Sequence, residues 1–218
     1  MIKTNNNQEE NKAKSEQYKS LRKFYIELLE DMDIIHFNSY NTKKIYQRYF
    51  STDKIGEVLS ITHSSISDNR KVKSYNGNLN LGYLGPITEH KGFYSLKKVC
   101  DKLYNEHKGK FKLHIFANYE GKEEYIVKHS PYKYSELENV MDSIDILIVP
   151  SKWNETFGFT VLEALSYGVP VIVSKHVGAK DLIEHGKSGM IYNELDELVE
   201  ILENIINNKF KLKYINLS

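Results

Sequence analysis

The chain has 218 residues, with 30 lysines and arginines against 29 aspartates and glutamates and a single cysteine, Cys100. That length accommodates one large domain, or one and a half, around a sizeable core. The near-balanced charge gives no electrostatic case for a nucleic-acid partner, and a lone cysteine excludes an intramolecular disulfide framework. With no secretory leader pattern and no apolar run near the roughly 18 residues of a spanning helix, a cytoplasmic protein is expected.

Residues Met1 to Gln17 are polar and read as disordered at first. From Ser15 to Asp31 a helix is expected, since Leu21, Phe24, Tyr25, Leu28 and Leu29 recur at helical spacing. Asp33 to Phe37 reads as a short strand, Asn41 or Thr42 as the cap of a helix to Phe50, and Gly56 to Ile61 as another strand. Asp31-Met32-Asp33 has a carboxylate spacing that can hold a divalent ion. It lies at a helix-to-strand junction, where acids mark a solvated edge, so no metal is expected. From His63 to Asn80, serine, asparagine, glycine and basic residues suggest a linker, drawn at 65–77.

A second domain opens with a strand from Leu79 to Leu84, ending at Gly85. The loop Pro86 to Gly92 and a helix from Phe93 to about His107 follow. Lys91 is placed to reach a phosphate as a mobile point charge, or is an ordinary exposed loop lysine. Cys100, in helical register with Leu96 and Leu103, reads as a reduced core residue. Phe111 to Phe116 is the next strand, with His114 read as a satisfied core or edge histidine. A short strand at Tyr125 to Val127, the loop Lys128 to Tyr132 and a helix from Tyr134 to Met141 follow. Tyr132 either stacks on a ligand ring or packs locally.

The most informative stretch is Ile144 to Ser174. Ile144, Ile146, Leu147, Ile148 and Val149 form an apolar run closed by Pro150, as in a strand buried on both faces, and Val169 to Val173 forms another. Between them lies a helix with Leu162, Ala164 and Leu165 on its apolar stripe and Gly168 at its C-terminus. Strand, helix, strand implies a parallel crossover, and ligands bind beyond the carboxyl ends of such strands. The loop Ser151–Gly158, with Glu155 and Thr156, lies there. Helix-start N–H groups around Phe157, Gly158 and Phe159 have no intrahelical partner and suit a phosphate. Trp153 either shields that pocket or fills the loop. Glu155 and Glu163, eight positions apart, are either hydroxyl-binding carboxylates of one crevice or solvated acids that the helix dipole favours. Beyond Ser174, Val177 to Ile183 gives a turn and short helix, and Glu197 to Asn207 an amphipathic helix with Leu198, Ile201, Leu202 and Ile205 on one face.

Asn154-Glu155-Thr156-Phe157-Gly158, then Val161-Leu162-Glu163-Ala164, then Gly168-Val169-Pro170-Val171-Ile172, resembles the signature of the retaining GT-B-fold glycosyltransferases that include glycogen synthases and bacterial polysaccharide transferases. The resemblance covers about Asn80 to Asn207. It implies an α/β fold with a Rossmann-like, nucleotide-sugar-binding domain at 78–208. Residues 1–64 would be a remnant of an acceptor-side α/β domain, and 209–218 a tail. It implies that Glu155 contacts the donor sugar, Glu163 binds the ribose, and Lys91 clamps the diphosphate, with Gly85, Thr156, Phe157, Gly158, Phe159 and Tyr132 lining the donor site. The family's loop commonly carries Gly-Arg before Lys-Gly; here Lys91-Gly92 match and Pro86 replaces the arginine. The implied activity is metal-independent, retaining transfer from a UDP- or GDP-sugar, with no cofactor, to a glycan or lipid-linked acceptor in cell-surface polysaccharide synthesis. The implied setting is cytoplasmic, at the inner face of the membrane. The alternative is a silent nucleotide-sugar-binding module that needs a partner chain or the missing N-terminal domain. A sugar-nucleotide epimerase of the same fold is a weaker third reading.

Overall fold

The computed structural model of the chain describes residues 2–49, 52–71 and 78–207. The chain divides into two compact units, Met1–Leu59 and Ser60–Ser218.

The first unit holds helix α1 (Ile2–Glu30), strand β1 (Ile35–Phe37), helix α2 (Tyr40–Tyr46) and strand β2 (Ile55–Val58), and its two strands pair in parallel. The expected disordered start is instead helical from Ile2. No glycine precedes Gly56 and no proline precedes Pro86, so nothing interrupts the helix, and each added residue contributes a backbone bond once a turn has formed. The stripe Leu21, Phe24, Tyr25 and Leu28 remains exposed. Helix α2 is capped by Ser39 rather than by Asn41 or Thr42: the Ser39 hydroxyl accepts from the Thr42 backbone N–H at 3.1 Å. It ends at Tyr46, earlier than expected, and Phe50 lies outside the described residues.

The second unit is a parallel sheet with helices on both faces. Its elements are β3 (Leu79–Tyr83), α3 (Phe93–Glu106), β4 (Phe111–Phe116), β5 (Ile126–His129), α4 (Leu137–Asp142), β6 (Ile146–Val149), α5 (Phe159–Ser166), β7 (Val171–Ser174), β8 (Gly189–Tyr192) and α6 (Leu195–Ile206). Six strands run in the order β5-β4-β3-β6-β7-β8, all neighbours parallel. From β3 the chain adds strands outward to β5, then returns to the other side of β3 and adds outward again. The reversal lies between β3 and β6, the switch point at which doubly wound sheets bind ligands.

The apolar runs are buried on both faces, as their unbroken character implies. Ile146, Ile148 and Ile172 pack into one core with Leu96, Cys100 and Leu103 of α3 and Leu198 and Leu202 of α6. Leu147, Val171 and Val173 pack into the other, with Val140 and Met141 of α4 and Val161 and Ala164 of α5. Alternate strand residues thus serve opposite cores. Cys100 is fully buried, and burial pushes its thiol pKa up, away from reactive thiolate.

The expected helix from Tyr134 divides into a 3-10 turn, Tyr134–Glu136, and α4. Glu136 draws the first turn tight by accepting the Lys133 backbone N–H at 2.7 Å while donating its own to the Lys133 carbonyl at 2.9 Å. Gly168 takes φ +75°, the left-handed conformation expected just past a helix end. The expected tail at 209–218 lies outside the described residues, as do positions 72–77 of the expected linker.

Candidate functional site

Two loops, at the carboxyl ends of β3 and β7, converge on the loop that closes β6. The loop after β3 touches it first. The His90 carbonyl accepts the Lys152 backbone N–H at 2.9 Å, and the His90 ring lies 4.4 Å from the Trp153 ring. Gly92, which starts α3 at φ +76°, lies so close that an added Cβ would sit 1.8 Å from the Pro150 carbonyl oxygen. The loop after β7 touches it from the other side. The His176 carbonyl accepts the Glu155 N–H at 2.9 Å, His176 Nδ1 pairs with Asn154 Oδ1 at 3.1 Å, and the Phe157 carbonyl accepts the Ala179 N–H at 2.7 Å. The segment Pro150–Gly158 is therefore clamped on both sides.

That clamp sets the charged pair. Lys91, donated by the first loop, places Nζ 3.0 Å from Glu155 Oε1, with the lysine side chain 27% exposed and the glutamate 11%. The same Nζ lies 5.3 Å from the Trp153 ring centre, a cation–π distance. Trp153 thus lines the lysine while remaining half exposed. Gly158 begins α5 at φ +111°, and a Cβ there would meet Val177 Cγ1 at 3.2 Å and Glu155 Oε2 at 3.4 Å. The Glu155 carboxylate therefore lies against the first turn of α5, where helix-start N–H groups and the dipole favour negative charge. Phe157 is buried in the core below, Phe159 is exposed, and Thr156 is an exposed loop residue.

Pro86 occupies the position where the resembling family carries arginine. Its carbonyl accepts the Tyr83 hydroxyl at 2.7 Å, which ties the loop to β3. Burial, followed by the Glu155 charge, raises the Tyr83 pKa and keeps that hydroxyl a donor. Gly85 stands half-buried between them.

Glu163, on the first turns of α5, is a second electrostatic centre. Its side chain is 13% exposed, and burial pushes its carboxyl pKa up while His63 nearby pulls it down. His63 Nε2 lies 3.7 Å from Glu163 Oε1. Tyr132 faces the same carboxylate, and burial together with that charge pushes its hydroxyl up to about 12. The Tyr132 ring meets Phe116 edge-on at 6.0 Å. The structure thus joins Lys91 with Glu155, and Tyr132 with Glu163. His63, which the sequence places at the edge of a linker, is the group sequence reasoning did not assign to the site. It stands 100 positions from Glu163, and no local pattern links the two.

His114 is satisfied on both ring nitrogens, Nδ1 by His129 Nε2 at 3.0 Å and Nε2 by Asn80 Oδ1 at 3.2 Å. Among the described residues, the histidine and carboxylate groups close enough to share an ion are Glu106, His107 and Glu203, at the end of α3 remote from Gly92. Asp31 and Asp33 are exposed residues of the first unit. No described helix is long and apolar enough to cross a membrane.

Comparison with known proteins bears on the family and the fold. An uncharacterized 41.2 kDa protein in the cps region of Klebsiella pneumoniae is 28% identical over 197 residues, covering 82% of this chain and 54% of that protein. The capsular polysaccharide biosynthesis glycosyltransferase CapM of Staphylococcus aureus is 28% identical over 166 residues, covering 65% of this chain and 42% of its own. The crystal structure of Anabaena Alr3699/HepE in complex with UDP and glucose superposes with a TM-score of 0.64 at 17% identity, covering 81% of this chain and 54% of that one. That likeness is one of fold, the GT-B arrangement. The chain thus spans about half the length of the relatives it matches. The profile of the family described as glycosyl transferases group 1 matches residues 65–216, which include the six-stranded sheet, Lys91, Glu155 and Glu163 but not His63, and the chain belongs to that family.

Proposed function

We propose that the second unit binds a nucleotide-sugar donor and that the protein acts as a retaining, metal-independent glycosyltransferase. The observation that carries this reading is the Lys91–Glu155 pair, 3.0 Å apart beside the start of α5 at the sheet's switch point. A sugar diphosphate needs a cation for its leaving phosphates and an acceptor for its sugar hydroxyls, and these two side chains supply one of each. Lys91 and the N–H groups around Gly158 and Phe159 stabilise the charge that develops on the diphosphate as the bond from the anomeric carbon to the phosphate oxygen breaks. Glu155 accepts hydroxyls of the donor sugar, and Glu163 the hydroxyls of the ribose. Gly85, Thr156 and Tyr132 border the same donor. The acceptor oxygen then bonds on the face the phosphate left, and its proton passes to the leaving group.

The acceptor is a glycan or lipid-linked glycan of a cell-surface polysaccharide, a reading supported by the relative named for capsular polysaccharide biosynthesis. Work at such an acceptor suits a cytoplasmic protein at the inner face of the membrane. Because the match with the Klebsiella pneumoniae relative covers only 54% of that protein's length, a second reading has this chain bind donor but transfer it only together with an acceptor-side partner or domain.

Calorimetry with UDP-, GDP- and ADP-sugars, with and without chelator, tests the donor. Saturable binding of one of them that survives chelator is expected. Binding that needs magnesium would overturn the metal-independent reading. Product formation from radiolabelled donor and a cell-envelope extract, by this chain alone and supplemented with an N-terminal acceptor domain, separates the two readings of transfer.

A further inference from the structure

We infer that His63 is a positioning residue of the donor site, holding the Glu163 carboxylate ionised and aimed for the two ribose hydroxyls. The inference rests on the reading of Glu163 as the ribose ligand and adds a residue to it.

A carboxylate accepts two vicinal hydroxyls well only when ionised, since a protonated carboxyl spends one oxygen as a donor. Glu163 is mostly buried, and burial alone works against ionisation. The basic side chain within 4 Å of it, among the described ion pairs, is His63, whose Nε2 lies 3.7 Å from Oε1 and carries positive charge when the ring is protonated. At that distance the contact is not a hydrogen bond, and becomes a charge pair when the ring is protonated, so both carboxylate oxygens keep lone pairs for a ligand.

His63 is held in place on three sides. Its ring meets Phe159 edge-on at 5.4 Å and Tyr134 at 5.7 Å. Its backbone carbonyl accepts the Ile66 N–H at 3.0 Å, and the Ser65 carbonyl accepts the Tyr134 hydroxyl at 2.9 Å. Further on, the Ser166 carbonyl at the end of α5 accepts the Asn69 N–H at 2.8 Å, and Lys71 pairs with Glu138 and Asp142 of α4. The segment 63–71 is thus a strap over α4 and α5 that delivers an imidazole to Glu163. Phe159, which packs on that imidazole, is the first residue of the helix whose N-terminus faces the proposed phosphates.

The other titratable groups around the pair are Tyr132, against Glu163, and Tyr134, against His63. Tyr167, with Lys71, Glu138 and Asp142, lies at the other end of the strap. The Tyr132 hydroxyl, pushed up to about 12, stays neutral through the working range and contributes no change of charge.

The test is a double-mutant cycle on the full chain, read as affinity for the nucleoside diphosphate that binds best among UDP, GDP and ADP. His63→Phe, which keeps an aromatic ring between Phe159 and Tyr134, and His63→Gln, which keeps polarity, are each made alone and with Glu163→Gln. At pH 6 each single His63 variant should weaken binding about two- to fivefold. The pH at which affinity falls on acidification should move upward, because Glu163 loses the charge that keeps it ionised. In the Glu163→Gln background, and toward the 2′,3′-dideoxy form of the same nucleotide, the His63 substitutions should have no effect. An equal loss in all backgrounds would make His63 a packing residue and overturn the inference, as would an unmoved acid limb. If Glu163→Gln weakens binding and the His63 variants do not, only this inference falls. If Glu163→Gln itself leaves affinity unchanged, the ribose reading falls with it.

Discussion

Lys91 and Glu155 are paired across 64 positions, so on the proposed reading the ammonium charge is already partnered by a carboxylate before a donor arrives. A diphosphate must share that ammonium with the carboxylate, which its three N–H donors permit. Replacing Lys91 with alanine should therefore weaken nucleoside diphosphate binding by about 1.5–3 kcal/mol, the range for a hydrogen bond to a charged group, and leave nucleoside binding nearly unchanged. Calorimetry with UDP and uridine, or the pair matching the preferred base, reads both quantities. If Glu163 binds the ribose as proposed, Glu163→Ala should cost about 1–3 kcal/mol toward both ligands, because the ribose is common to them. Equal losses for the two ligands in Lys91→Ala would remove the lysine from the phosphates.

At the scale of elements, the site is made by the way the β3–α3 loop and the β6–α5 loop jam together. Gly92 is the contact point: φ +76° and a carbonyl 1.8 Å from where a Cβ would stand leave no room for any side chain. Gly92→Ala should destabilise the protein by at least about 2 kcal/mol, since the left-handed strain adds to an overlap with backbone. Urea unfolding followed by circular dichroism measures it, and an unchanged midpoint would mean that the two loops are not in contact in solution. The turn glycines Gly168 and Gly158 were legible from the sequence, because a helix end and a helix start each leave a pattern in the chain. The Gly92–Pro150 contact was not, because it joins residues whose separation only the strand order removes.

For the whole molecule, acid is the informative variable. Burial lowers His114 from the usual imidazole value to about 4, the neighbouring His129 charge adds to the effect, and Asp145 opposes it. The unfolded chain therefore binds a proton near pH 6.5 that the folded chain refuses until about pH 4. Stability is fully present above pH 6.5 and is lost as pH falls through that window, by about 2–3 kcal/mol from this residue. His114→Gln, which keeps a partner for Asn80, should flatten that part of the profile while leaving a smaller slope from His129, whose own pKa burial lowers. Thermal unfolding of both proteins at pH 7.5, 6 and 4.5 decides it. Parallel slopes would show that acid sensitivity arises elsewhere.

Taken by itself, the sequence determined the local structure. The apolar runs at Ile144–Val149 and Val169–Val173, too short for buried helices, marked the strands Ile146–Val149 and Val171–Ser174. The helix between them had to begin near Gly158 and end at Gly168, and Glu155, Glu163 and Lys91-Gly92 marked the proposed donor site through their resemblance to a known family. Those signals are legible because each depends on neighbours within a turn or a strand. The polar first 17 residues misled, since low hydrophobicity argues against a core and not against a helix. Tertiary structure alone decided which groups meet. It set β6 beside β3, brought Lys91 to Glu155, and folded the segment after Ser60 across α4 and α5 so that His63 reaches Glu163. The physical reason is that hydrogen-bonded strand pairing and burial of both sheet faces act between residues of any sequence separation, whereas propensity and capping act only over the few residues that share a turn.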